Sequence, residues 1–118
     1  EGVTYFIAQP GVRYKVPTGL IFDIEKPRKT VGIYARSGNA LKRGLTMAND
    51  VAVIDYDYID EVFVLLLNNS EVPQPVKHGE RIAQGVVHSI FHPPLNEGKE
   101  RPELKSDRDG GLGSTGTE

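Results

Sequence analysis

The chain contains no cysteine, so neither a disulfide framework nor a thiolate metal site is available, and the fold must close by packing alone. It also lacks a long apolar run. The longest, Val62 to Leu67, falls far short of the roughly 20 residues that span a bilayer, and no charged-then-apolar leader opens the chain. A soluble protein with no membrane association is expected, with a cytoplasmic location or, for a viral source, the host-cell cytoplasm. Excess charge is missing too: the formal net charge is -2, with Lys and Arg scattered among Asp and Glu. That balance argues against a surface that neutralises a nucleic-acid backbone, and no nucleic-acid partner is expected. Any anionic ligand must be met by a local site. The chain begins at Glu1 rather than at methionine, which leaves its natural start open.

What is present suits a single small β domain. A length of 118 residues leaves no room for a second core. Hydrophobic residues make up 38% of the chain, lean for a small monomer, so burial against other subunits is expected. Gly and Pro punctuate the chain about every eight to twelve residues, and between them apolar residues alternate or form short runs. Val12, Tyr14 and Val16 alternate with Arg13 and Lys15, which places three apolar side chains on one strand face. Further strands are expected over Tyr5 to Ala8, Leu20 to Ile24, Val31 to Ala35, Val51 to Ile54, Val62 to Asn68 and Ile82 to Phe91. The run Val62 to Leu67 does not alternate and reads as a strand covered on both faces by protein, neighbouring protomers included. One helical turn is expected at Ala40 to Arg43. The β domain is expected over residues 1–95, and a C-terminal arm, mixed in charge and then glycine-rich, over 96–118.

Four segments have the composition of a chemical site. Arg36-Ser37-Gly38 offers a guanidinium, a hydroxyl and backbone N–H groups that can converge on a phosphate. It is equally the composition of a polar turn in which Gly38 supplies an unusual backbone angle. The stretch Asn49 to Tyr58 brings an amide, carboxylates at Asp55 and Asp57, and two tyrosines within ten residues. A carboxylate can orient and deprotonate a water for attack on phosphorus, an amide can match a pyrimidine edge, and a tyrosine ring can floor a sugar. The other reading is a hairpin with solvated aspartates at its mouth. Gln84 projects from a strand, and most such residues face water. Arg108 to Gly116 has the ingredients of an N–H nest around phosphate oxygens, yet it is not a Walker A loop, because no lysine follows the glycines. The three histidines form no metal-ligand pattern.

In order and spacing these segments are specific: Arg36-Ser37-Gly38, Asn49 six residues before Asp55, Asp55-x-Asp57-Tyr58, Arg81-Ile82-Ala83-Gln84, and Gly110-Gly111-Leu112-Gly113-Ser114-Thr115-Gly116. The sequence resembles the trimeric dUTPases and matches four of their five motifs. The resemblance runs nearly the whole chain, including Val16-Pro17-Thr18-Gly19-Leu20 between motifs. It implies an all-β distorted jelly roll assembled as a homotrimer, with each site built from three chains, that hydrolyses dUTP to dUMP and pyrophosphate. Arg36, Ser37, Gly38 and Gln84 would bind phosphates. Asn49 and the backbone of the hairpin to Asp55, Val53 and Ile54 included, would read uracil. Asp55 would activate the water, and Tyr58 would stack beneath the deoxyribose. The arm would bring Arg108 to the outer phosphates and Leu112 to the base, with Gly113, Ser114 and Thr115 completing the lid. A magnesium ion is implied, bound through the triphosphate and water rather than by protein ligands. The family's first motif, with an aspartate that helps hold this metal through water, would lie just upstream of Glu1 and is absent from this sequence.

Three departures carry their own expectations. Leu112 stands where the family usually has phenylalanine, so the lid would cover the base without aromatic stacking. Ile59-Asp60 replaces the usual Arg-Gly, and Arg108 sits one residue closer to the paired glycines than in many members. Two other functions are weighed against hydrolysis: a nucleotide-binding regulatory module that has lost turnover, and a deaminase like the dCTP deaminases, which share the fold. The latter would need a glutamate base where Leu65 stands.

Overall fold

The structure is a computed structural model and describes residues 5–112. Eight strands and one short helix follow in the order β1 (Tyr5–Ala8), β2 (Arg13–Pro17), β3 (Lys29–Ala35), α1 (Ser37–Arg43), β4 (Leu45–Met47), β5 (Ala52–Asp55), β6 (Phe63–Asn68), β7 (Gln74–Lys77) and β8 (Ala83–Ser89). They form three antiparallel sheets, β1-β7, β2-β6-β4 and β5-β3-β8. The core gathers Val31 and Ile33 from β3, Ala52 and Ile54 from β5, Val64 and Leu66 from β6, and Leu45, Met47 and Val76. The expected all-β jelly roll is the fold observed.

β6 shows how much of the expected coverage this chain supplies by itself. Val62, Val64, Leu66 and Asn68 are buried, whereas Phe63 and Leu67 are half-covered and Leu65 is 36% exposed. The unbroken apolar run therefore packs with the period of two that any strand imposes, and only one face lies in this chain's core. On the other face Lys15 Nζ sits 4.2 Å from the centre of the Phe63 ring. Asn68 ends the strand as a fully buried amide with every polar atom engaged. Its Nδ2 donates to the carbonyls of Ala8 and Val72, each at 2.8 Å, and its Oδ1 accepts from the N–H and hydroxyl of Ser70.

Other boundaries also shift. Leu20 to Ile24 is not a strand: Phe22 and Ile24 still alternate inward, but no neighbouring strand offers a ladder, and Ile21 is 65% exposed. β4 and β7 are strands of three and four residues that were too short to stand out as patterns. β8 stops at Ser89, before Phe91. α1 starts at Ser37, earlier than expected, so Gly38 is helical and needs no left-handed angle. That role falls to Gly44, which caps α1 with φ 66 and has room only for hydrogen, because an added Cβ would lie 2.7 Å from the Ser70 Cβ. Residues 90–112 contain neither helix nor strand, and among the described residues no helix is long and apolar enough to cross a membrane.

Candidate functional site

The residues singled out in the sequence form two groups, one at each end of β3. At its C-terminal end, Arg36 adopts an extended backbone and Ser37 and Gly38 open α1. The first intrahelical bond runs from the Ala40 N–H to the Arg36 carbonyl at 2.9 Å, so the N–H groups ahead of it have no helical acceptor. The β3–β8 register places Gln84 opposite Tyr34 and Ala83 opposite Ala35. Gln84 Nε2 donates to the Ala35 carbonyl at 2.9 Å, which holds the side chain beside Arg36. A guanidinium, a hydroxyl, an amide and free N–H groups thus share one corner, a donor set that suits phosphate oxygens.

This corner rests on residues that the sequence did not single out. Arg43, in the last turn of α1, donates to the Glu80 carboxylate and to the Pro75 carbonyl. Asn39 Nδ2 reaches the Arg81 carbonyl at 3.2 Å. Burial acts to raise the Glu80 carboxyl, but the Lys77 N–H, the Arg43 hydrogen bond and the Arg43 and Lys77 charges outweigh it and hold the group below its ordinary value. These partners lie far apart in sequence, and no local pattern marks them.

The second group lies at the opposite end. Asp55 closes β5 opposite Thr30 and points outward with Val53, which is 61% exposed. Tyr58 follows after a turn closed by its N–H on the Asp55 carbonyl at 3.1 Å, and its hydroxyl donates to the Glu61 carbonyl at 2.7 Å. Asn49 is exposed in the preceding turn, where Asp50 takes a left-handed backbone with φ 61 and the Val51 N–H bonds back to the Asn49 carbonyl. The expected hairpin is corrected here: β4 pairs with β6 and β5 with β3, so Asn49 to Asp55 crosses between sheets. Ile54 presents no side chain to a ligand, being buried in the core, and its carbonyl accepts from Thr30 Oγ1 at 2.8 Å.

From Thr30, opposite Asp55, to Ala35, beside Gln84, is five residues of strand, or roughly 17 Å. The two groups do not meet within one chain. Arg108 bonds within its own segment, its Nε donating to the Gly110 carbonyl at 3.2 Å, and Leu112 is fully exposed. Gly113, Ser114 and Thr115 lie outside the described residues. A cleft of about 970 Å³ opens elsewhere, between the sheets, against Phe6, Tyr14, Val16, Phe22 and Ile82. Of the described residues named for a site it touches only Gln84.

The side chains present bear on how magnesium could be held. Among the described residues no three His, Asp or Glu side chains converge, so direct protein ligation does not fit. An ion that arrives on a triphosphate needs no such cluster, and the exposed Asp55 carboxylate leaves room for water between.

A family model described as dUTPase matches residues 3–116. A deoxyuridine 5'-triphosphate nucleotidohydrolase of Desulfitobacterium hafniense is 48% identical over 85 residues, covering 70% of this chain and 55% of its own length. This chain thus spans only about half of that relative. One of the same name from Nautilia profundicola is 41% identical over 110 residues, covering 93% of this chain and 76% of its own. Among solved structures, a dUTPase from Streptococcus mutans superposes with a TM-score of 0.67 at 26% identity, over 80% of this chain and 75% of that one. With the residue order, the sheet topology and these matches in agreement, the chain belongs to the dUTPase family.

Proposed function

We propose that the protein hydrolyses dUTP to dUMP and pyrophosphate. The observation that carries this reading is the sorting of its polar residues into a phosphate-suited corner at Arg36, Ser37, Gly38 and Gln84 and a carboxylate–tyrosine–amide group at Asp55, Tyr58 and Asn49, in a chain of this family.

In the proposed reaction Asp55 accepts a proton from a water whose oxygen bonds to the α-phosphorus. The bond from that phosphorus to the bridging oxygen breaks, and pyrophosphate leaves with the electron pair. Arg36, Ser37, Gly38 and Gln84 hold the phosphates and meet their charge. Asn49 and the backbone near Val53 and Ile54 read the uracil edge, while the Tyr58 ring floors the deoxyribose. Magnesium, bound with the triphosphate and reached through water, would supply charge compensation on the phosphates. Because the two groups lie about 17 Å apart along β3, one nucleotide uses both only where a second copy supplies one of them. That separation supports a homotrimer with shared sites. The arm, with Arg108, Leu112, Gly113, Ser114 and Thr115, closes over the nucleotide and excludes water. A cytoplasmic location belongs to the same reading, because the dUTP pool is intracellular.

The test is pyrophosphate release from dUTP with magnesium present. Steady turnover is expected, and Asp55→Asn should lower kcat by about a thousandfold while nucleotide affinity stays within a fewfold. An absence of release from the parent protein would overturn the enzyme reading, and dUTP binding without release would favour the regulatory module instead.

A further inference from the structure

α1 is a helix that little apolar packing holds in place. It has seven residues, none of them buried, and no side-chain cap at its N-terminus, and a helix this short is marginal in water. Yet its first residues, with Arg36 before them, carry half of the phosphate-suited corner. The other half, Gln84, stands on β8, which enters the sheet only after the turn at 77–80. Something must fix these two elements relative to each other.

The polar contacts behind the corner do this. Arg43 spans the gap with one guanidinium, bonding to the Glu80 carboxylate, to the Pro75 carbonyl and, at 3.4 Å, back to Asn39 Oδ1. Glu80 is held in turn: its Oε2 accepts from the Lys77 N–H at 2.8 Å and its own N–H donates to the Lys77 carbonyl at 3.1 Å. Asn39 closes the loop through the Arg81 carbonyl. The ion pair is about three-quarters covered, with side chains 23% and 25% exposed, so solvent screens it less than a surface pair.

Resting on the dUTP reading, we infer that Arg43 and Glu80 are positioning residues: their ion pair ties the end of α1 to the β7–β8 turn and so sets the spacing between Arg36-Ser37-Gly38 and Gln84. Neither touches the nucleotide. Phosphates bridging the two elements feel a change in that spacing, and a ligand without phosphates does not.

The experiment compares the parent protein with Arg43→Gln, Glu80→Gln and the double variant, each measured for dUTP kinetics and for competitive inhibition by deoxyuridine. The KM for dUTP is expected to rise about tenfold in each single variant, with kcat within about twofold and deoxyuridine inhibition unchanged. The double variant should be no worse than the worse single one, since both remove one contact. Arg43→Lys, which keeps the charge, should recover part of the loss, and it replaces Arg43→Gln should that variant fail to fold. A dUTP KM within twofold of the parent in both single variants, whatever happens to the melting temperature, would overturn the inference. Equal losses for dUTP and deoxyuridine would overturn it as well, because they would mean general disorder. A parent that does not hydrolyse dUTP at all would refute the function reading instead, so the two failures are distinguishable.

Discussion

Tyr58 is fastened at both ends, its N–H to the Asp55 carbonyl and its hydroxyl to the Glu61 carbonyl. A ring held in this way makes a rigid wall, which is what discrimination against one added hydroxyl requires. Tyr58→Ala is therefore expected to lower the preference for dUTP over UTP at least about tenfold, read as the ratio of the two kcat/KM values. An unchanged ratio would remove Tyr58 from beneath the sugar. Gly44 shows a different kind of necessity. Its φ of 66 disfavours any Cβ, and the Ser70 Cβ would lie 2.7 Å from one. Gly44→Ala should cost about 2 kcal/mol or more, seen as a lower denaturation midpoint.

At the scale of elements, register matters most. β3 carries the core residues Val31 and Ile33 on one face, and through its two neighbours it sets where Asp55 and Gln84 stand. α1 takes its place from the Arg43–Glu80 pair, and that pair gives stability a pH dependence. The folded state holds the Glu80 carboxyl below its ordinary value, so its contribution is present above that value and disappears as pH falls through the lower folded one. Lys77, Arg43, His78 and Arg81 surround it in the chain or in space. Between pH 7 and about pH 4 the parent protein should lose more melting temperature than Glu80→Gln, which has no carboxylate to protonate at that position. Equal losses in thermal melts at the two pH values would show that the pair contributes nothing to acid stability.

At the scale of the whole molecule, the two ends of β3 pose the question of how one nucleotide reaches both groups. Complementation answers it. Arg36→Ala and Asp55→Asn are each expected to be inactive alone, yet chains mixed after unfolding and refolded together should regain measurable pyrophosphate release, because some shared sites then join an intact Arg36 from one chain to an intact Asp55 from another. A mixture as inactive as its parts would show that each site is built within one chain.

Local pattern in the sequence determined much of this protein. The Tyr14–Val16 alternation, the β3 and β6 apolar segments and the Gly–Pro punctuation are local signals, and they marked six of the eight strands as well as the residues suited to phosphate and pyrimidine chemistry. Those signals need only neighbours along the chain, because a strand's side chains alternate wherever it packs. Tertiary structure alone decided the rest: that Leu20 to Ile24 finds no ladder, that Asn49 to Asp55 crosses between sheets, that Asn68 is buried with its four hydrogen bonds, and that Arg43 meets Glu80. Each depends on which distant segments come into contact, and the chain's own periodicity does not specify those pairings.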